Sequence, residues 1–277
     1  MRIMRKIGFI GLGHMGGILL RSLLESGGVN QEEVMISTRT VSKLAPILEA
    51  FPKVTITGNN TEVARSCKYI FVGVKPKDVK GVIEEIKGCM VNDVHIVYMA
   101  AALRIESIEK IFSGRITRIM PSITCEVGEG AMLVRHNCKM SKEEAGFLNT
   151  LLSKVSMVKE VGEEEFAVGT DIVGCAPGFF AGMVAKFAEQ AVKYGSFSPE
   201  EVSKILVSTL YGTAKLLHQK NLMPEELVKV VATKGGITEQ GVEILNEGLP
   251  SVFKELFEVT IERHNKIEEE VAKQYKI

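Results

Sequence analysis

The residues with the plainest chemical meaning lie at the start of the chain. Gly11-Leu12-Gly13-His14-Met15-Gly16 has the spacing G-x-G-x-x-G. It follows a short apolar run, Lys6–Gly11, that reads as a strand, and it opens a helical pattern at His14–Glu25. In that setting each glycine has a task. Gly11 permits a tight turn, Gly13 lets the backbone approach a pyrophosphate, and Gly16 lets the helix pack closely on the strand. The phosphates would rest at the helix N-terminus, where free N–H groups and the helix dipole favour negative charge. The same spacing also occurs in ordinary glycine turns; the flanking strand and helix carry the assignment.

The end of the second expected strand bears on which nicotinamide cofactor fits. An NAD site places Asp or Glu there, on the ribose 2′-hydroxyl. This chain reads Ile36-Ser37-Thr38-Arg39-Thr40, with Lys43 one turn on and no carboxylate. Hydroxyls plus a guanidinium suit a 2′-phosphate, because Arg offers a planar fork of donors. The expectation is NADP(H) in preference to NAD(H), against the alternative of a solvated basic helix start.

These residues need a scaffold, and the sequence supplies one. Lys6–Gly11, Val34–Thr38, Val54–Thr57, Tyr69–Val74, His95–Met99 and Ile116–Met120 read as strands bounded by Gly, Pro, Asn or charge. Helical patterns at His14–Glu25, Val41–Ala50, Lys77–Ile86 and Ile105–Ile111 alternate with them. That order implies a Rossmann-type parallel sheet with helices on both faces. Ala131–Arg135 and Met157–Glu160 read as further strands around a helix at Lys142–Leu152. After Val161 strand signals stop, and Phe179–Tyr194, Pro199–Gln219, Pro224–Val231 and Leu249–Lys273 carry helical periodicity. Pro199 and Pro224 sit where a first helical turn accepts proline. The expected domains are 1–160, dinucleotide-binding, and 161–277, all-helical. The charged tail from Glu262 onward reads as the solvated end of the last helix.

Bulk composition narrows the partners. The 277 residues are 45% hydrophobic and 25% charged, and Lys+Arg and Asp+Glu both total 34. Such a balance calls for neither nucleic acid nor a membrane surface, so attraction for an anionic cofactor must be local. No stretch is expected to reach transmembrane length, and the apolar run at Ile7–Gly13 is too short and glycine-rich for a signal peptide. Five scattered cysteines without CxxC spacing read as reduced thiols in a cytoplasmic protein, with no metal site.

Several segments together resemble pyrroline-5-carboxylate reductase. Val72-Gly-Val-Lys-Pro76 is similar to that family's A-V-K-P segment. Arg118-Ile-Met-Pro121 followed by Val127-Gly-Glu-Gly130 is similar to R-x-M-P-N-T-P…V-G-x-G. Val173-Gly-Cys-Ala-Pro-Gly-Phe179 stands in the place of S-G-S-G-P-A-Y, Thr209–Leu217 resembles T-x-x-G-x-A-K-L-L, and Thr233-Lys-Gly-Gly-Ile-Thr238 stands for S/T-P-G-G-T-T. The resemblance implies a Rossmann domain followed by a helical domain that interlocks with a second copy as a homodimer. It implies NADPH-dependent reduction of a cyclic imine carboxylate to proline. Cofactor-binding candidates are then Gly11, Leu12, Gly13, His14, Met15, Gly16, Thr38, Arg39, Asn60, Val74, Lys75, Pro76, Ala100 and Ala101. Substrate-binding candidates are Ser122, Cys175, Gly235, Gly236 and Thr238, with Thr238 also the catalytic candidate.

Departures from the family pattern cluster on the substrate side. Ser122 replaces the Asn after Met-Pro, Val173 and Cys175 replace two serines, Lys234 replaces the loop proline, and Ile237 replaces a threonine. Two alternatives follow: a catalytically altered paralogue with a regulatory or assembly role, and a β-hydroxyacid dehydrogenase. The second would need a Lys four residues before an Asn, and Lys186 is followed at that distance by Gln190.

Overall fold

The computed structural model describes residues 7–40 and 44–275. Lys6, Lys43 and the first three residues of the helix expected at 41–50 lie outside these.

Eight strands form one sheet, taken in chain order as β1 Ile7–Ile10, β2 Val34–Ser37, β3 Thr55–Thr57, β4 Tyr69–Val72, β5 His95–Tyr98, β6 Arg115–Pro121, β7 Ala131–His136 and β8 Met157–Glu160. Their spatial order is β3-β2-β1-β4-β5-β6-β7-β8. Neighbours run parallel except β6 and β7, which are antiparallel. β1, β4 and β5 are buried at every position, which is why they read as continuous apolar runs. The strand order reverses between β1 and β4. In an open parallel sheet the crevice beyond the strand ends at such a switch point is where ligands bind.

Helices α1 His14–Glu25, α2 Ala45–Ala50, α3 Asn60–Ser66, α4 Pro76–Ile86, α5 Ile105–Glu109 and α6 Lys142–Leu152 link the strands. Two cores form against the sheet. One gathers Phe9, Leu19, Leu23, Ile36 and Phe71; the other gathers Val63, Ile70, Val79, Ile83, Ile96 and Ile108. α6 begins with a reciprocal cap in which the Ser141 hydroxyl accepts from the Glu144 N–H at 3.2 Å, a signal legible in Ser-Lys-Glu-Glu. α3 was not expected. Its Asn59-Asn60 start resembles a turn, but the Asn59 side chain accepts from the Thr61 N–H at 2.9 Å and caps a helix.

The rest is helical: α7 Phe166–Gly169, a π turn at Thr170–Cys175, α8 Ala176–Ala191, α9 Pro199–Lys220, α10 Pro224–Val231 and α11 Ile237–Ala272. Two expectations fail here. α11 begins twelve residues before the expected Leu249, because Pro250 sits inside the helix without ending it; proline removes one ladder bond, which a 36-residue helix tolerates. Nor is its end solvated all round: Glu262, Arg263, Lys266, Glu269 and Glu270 are exposed, but one face is covered. Val271 is 6% and Tyr275 0% exposed, both in the second sheet core. The anchoring side chains are spaced too thinly among charges for the pattern to stand out.

The chain divides into two compact units, Met1–Cys175 with Thr260–Ile277, and Ala176–Val259. Composition changes near residue 160, but packing changes at Cys175, since Phe166 and Val173 are core residues beside Met120 and Leu133 of the sheet unit. One run, Glu163–Tyr194, is 32 residues long with a window of mean hydropathy 1.4. By length and composition it reaches what a membrane-crossing helix needs, against expectation. Gly174, Pro177 and Gly178 break its sequence pattern while the helix continues through them. A core or interface helix meets the same criterion.

Candidate active site

The glycine turn stands where its spacing places it. Gly11 has φ +77°, a left-handed conformation that a side chain disfavours. Its N–H donates to the Ser37 carbonyl oxygen at 2.8 Å, tying β1 to β2. The Gly13 N–H donates to the Gly73 carbonyl oxygen at 3.2 Å, and the Gly73 N–H to the Ile10 carbonyl oxygen at 2.9 Å. Gly73 is a fourth glycine of this cradle, inside the segment quoted above but not among the candidates. A Cβ there would lie 2.6 Å from the Gly11 carbonyl oxygen and 3.4 Å from Gly16 Cα. Gly16 is buried, while Gly13 and His14 are exposed.

Among the described residues no side chain caps the start of α1. Gly13 caps α1 without a side-chain hydrogen bond, and the first turn holds no acidic residue. The opening N–H groups of α1 therefore remain for an external acceptor, as a diphosphate requires. Leu12 and Met15 are half-buried and pack against the first core.

On the β2 side, Thr38 is half-buried and Arg39 exposed. The Ser37 hydroxyl donates to Asn60 Oδ1 at 2.7 Å, and Asn60 Nδ2 donates to Glu85 Oε2 at 2.8 Å. Asn60 is thus fixed at the start of α3 by two partners. Val74 packs against the second core, Lys75 is exposed at the N-cap of α4, and Pro76 is its first residue.

Ala100 and Ala101 follow β5. The Ala101 carbonyl oxygen accepts from an Arg118 guanidinium nitrogen and from His264 Nε2, the latter at 3.3 Å. Arg118 is fully buried; it donates also to Glu163 and lies 3.9 Å from the centre of the Phe166 ring. Burial pushes the Glu163 carboxyl above its ordinary range, against the pull of Arg118.

Of the substrate candidates, Ser122 is buried and its Oγ accepts from the Thr124 hydroxyl at 2.9 Å. Cys175 is half-buried, and burial together with Asp171 raises its thiol. Asp171, 3% exposed, accepts from the Thr260 hydroxyl at 2.7 Å. In the other unit Gly235 has φ +72° and its N–H donates to Glu239 Oε2 at 2.6 Å. The Gly236 N–H donates to the Thr233 carbonyl oxygen at 2.8 Å, and Thr238 is exposed in the first turn of α11. Among the described residues no three His, Cys, Asp or Glu side chains group as a metal site needs.

Known proteins bear on this arrangement. Residues 163–267 match the family described as pyrroline-5-carboxylate reductase dimerisation, and residues 6–101 match NADP oxidoreductase, coenzyme F420-dependent. A Bacillus subtilis protein named pyrroline-5-carboxylate reductase 3 is 35% identical over 272 residues, spanning 98% of this chain and all of that one. The chain belongs to the pyrroline-5-carboxylate reductase family. ComE operon protein 4 of the same organism is 27% identical and spans 96% of this chain and 97% of its own. The structure of a Plasmodium falciparum pyrroline carboxylate reductase with NADP bound has TM-score 0.80 and 22% identity, covering 97% of this chain and 98% of that one. At that identity it speaks for the fold alone.

A pyrroline-5-carboxylate reductase fold thus accounts for both the Rossmann-type sheet and the helical unit. Lys186, the residue a β-hydroxyacid dehydrogenase would use, is exposed on α8 and paired with Glu189 at 2.7 Å. Sequence reasoning missed Glu85 on Asn60, the pairs Asp171 with Thr260 and Glu163 with Arg118, and His264 on Ala101. Their contacts span 25, 89, 45 and 163 positions, distances over which one sequence carries no pairing signal.

Proposed function

We propose that the protein is an NADP(H)-preferring reductase of a cyclic imine carboxylate, converting 1-pyrroline-5-carboxylate to proline for amino-acid biosynthesis in the cytoplasm. The observation that carries the reading is the uncapped glycine cradle at the sheet's switch point, in a chain 35% identical over its length to a protein named for that reaction. Arg39 and Thr38, with no carboxylate in their loop, support the 2′-phosphate preference.

NADPH, when bound, supplies the hydride delivered to the C=N carbon. A protonated imine is already a strong electrophile, so the protein's part is alignment and capture of the carboxylate. The Gly236 region and the Thr238 hydroxyl are the groups proposed for that carboxylate; the exposed Thr238 hydroxyl is a donor at hand, while the Gly235 and Gly236 N–H groups, held by Glu239 and the Thr233 carbonyl oxygen, must exchange those partners for the substrate. The helical unit exposes Phe187 at 65%, Val230 at 72%, Ile237 at 93% and Ile244 at 70%. So much apolar surface supports a homodimer through that unit.

One contact favours a second reading, a paralogue that kept the fold and lost turnover for a regulatory or assembly role. The Glu239 carboxylate already takes the Gly235 N–H that a substrate carboxylate would seek.

Mixing the purified protein with NADPH and pyrroline-5-carboxylate and following the absorbance of the reduced cofactor separates the two. Oxidation that depends on the imine upholds the reductase. NADPH binding without oxidation above background removes it and leaves the second reading.

A further inference from the structure

Arg118 is the largest fully buried side chain among the described residues, and its place gives it a task beyond packing. Burying a guanidinium is unfavourable unless it is paired and hydrogen-bonded. Its partners are specific: one nitrogen donates to Glu163, another to the Ala101 carbonyl oxygen, and the planar group stacks on Phe166. Glu163 is held from the far side, with Arg135 Nε 3.1 Å from its second oxygen, and Arg135 is held by Glu106 at 3.1 Å. The chain of charges ends on a backbone carbonyl.

That carbonyl has a second donor. His264 Nε2–H, near the end of α11, donates to the same Ala101 oxygen at 3.3 Å, and His264 is 8% exposed. Two donors on one oxygen fix the plane of the Ala101–Ala102 peptide, and because that unit is planar and trans they also fix the direction of the Ala102 N–H. The loop lies just past the carboxyl end of β5, in the half of the sheet beyond the switch point. By the two-half logic of dinucleotide folds, the adenosine side belongs to β1–β3 and the nicotinamide side to the half containing β5.

We propose that Arg118, braced by Glu163 and seconded by His264, is a positioning residue that orients the Ala101–Ala102 peptide against the nicotinamide end of the cofactor. This rests on the dinucleotide reading above. Among the described residues these contacts stay between Ala101, Glu106, Arg118, Arg135, Glu163 and His264 and do not reach β1–β3, so the effect falls on one half of the cofactor. A planar fork can reach Glu163 and Ala101 at once; a Lys ammonium at 118 has neither the reach nor the plane to do both.

The test uses the full-length protein and two probes, NADPH and 2′,5′-ADP, which keeps the adenine end and lacks nicotinamide. Binding is read by titration calorimetry. Arg118→Lys is expected to weaken NADPH about tenfold, the order of losing one charge-assisted contact, and to leave 2′,5′-ADP within about twofold. His264→Ala is expected to weaken NADPH about threefold in the same selective manner, with His264→Gln restoring it. The histidine pair keeps the question answerable if Arg118→Lys does not fold. Equal loss of both probes, or no loss of either, overturns the proposal. Wild-type protein that binds neither probe overturns the dinucleotide reading itself, whereas wild-type binding without imine reduction leaves this test intact.

Discussion

Gly73 stands so close to Gly11 that any side chain on it would meet the Gly11 carbonyl oxygen at 2.6 Å. Two loops from the strands either side of the switch point thus interlock through backbone alone, with the Gly73 N–H on Ile10 and the Gly13 N–H on Gly73.

Gly73→Ala should therefore act on stability and on cofactor together. The obstructing atom is backbone, which cannot swing away, so the strain should approach the ~1–3 kcal/mol of an overpacked core. Melting temperature should fall and NADPH affinity with it. Gly81→Ala is the control: nothing lies within 4 Å of its Cβ, and in the interior of α4 alanine should stabilise by up to ~1 kcal/mol. Differential scanning fluorimetry with and without NADPH reads both. Equal effects at the two positions would refute the interlock.

The cradle was legible because its glycines are local: positions 11, 13 and 16 carry the spacing, and the apolar runs on either side carry the strand and the helix. What lay beyond sequence reading was of two kinds. Some was local but ambiguous, as with Asn59-Asn60, where the residues that make a turn also cap a helix, and Pro250, a breaker signal inside a helix that does not break. The rest was non-local. Arg118 with Glu163 is a buried polar pair and Asp171 with Thr260 a partly buried one, and single-sequence patterns report which face is apolar but not which distant polar group completes a pair. The docking of 260–275 on the sheet unit belongs here too.

Arg39 is exposed in the loop after β2 and no acidic residue shares that loop. Arg39→Ala should weaken NADPH by roughly tenfold or more, the magnitude of losing a charge-assisted contact to phosphate at ~1.5–3 kcal/mol. NADH, which lacks the 2′-phosphate, should shift less than about twofold. Fluorescence titration of both cofactors gives the ratio. If both weaken alike, the guanidinium is not a 2′-phosphate ligand.

Acid should destabilise the sheet through His95. Its Nε2 lies 2.6 Å from the Thr117 hydroxyl, which lies 2.7 Å from His136 Nδ1; His136 Nε2 lies 3.3 Å from Asn149 Oδ1. Asn149 Oδ1 can only accept, so His136 donates to it, Thr117 donates to His136, and His95 donates to Thr117. That leaves His95 Nδ1 buried and without a hydrogen-bond partner among the described residues. Burial, then His136, Arg115 and Lys68, hold its pKa down at about 3. The unfolded chain takes this proton near pH ~6.5. Above that value both states are neutral and the full stability is present. Between ~6.5 and ~3 the unfolded chain binds a proton the fold refuses, so stability falls by up to ~1.4 kcal/mol per pH unit from this group. Urea unfolding of the wild type and His95→Leu at several pH values should show a shallower acid slope in the variant. Superimposable slopes would mean the histidine is not the source.

Glu239 offers the sharpest probe of the substrate side. Its carboxylate holds the Gly235 N–H at 2.6 Å, and Gly235 is in the left-handed conformation that turns this N–H toward it. A substrate carboxylate arriving at the same loop meets both a filled donor and a like charge. Glu239→Gln keeps an acceptor for the Gly235 N–H and removes the charge, so the loop should hold its shape. With a partly screened repulsion of ~1 kcal/mol, the KM for the imine carboxylate should fall about fivefold, while the KM for NADPH stays put. Steady-state kinetics at fixed saturating cofactor measures this. A KM that rises instead would make the Glu239 contact a support that shapes the loop for substrate, and the competition between the two carboxylates would be ruled out.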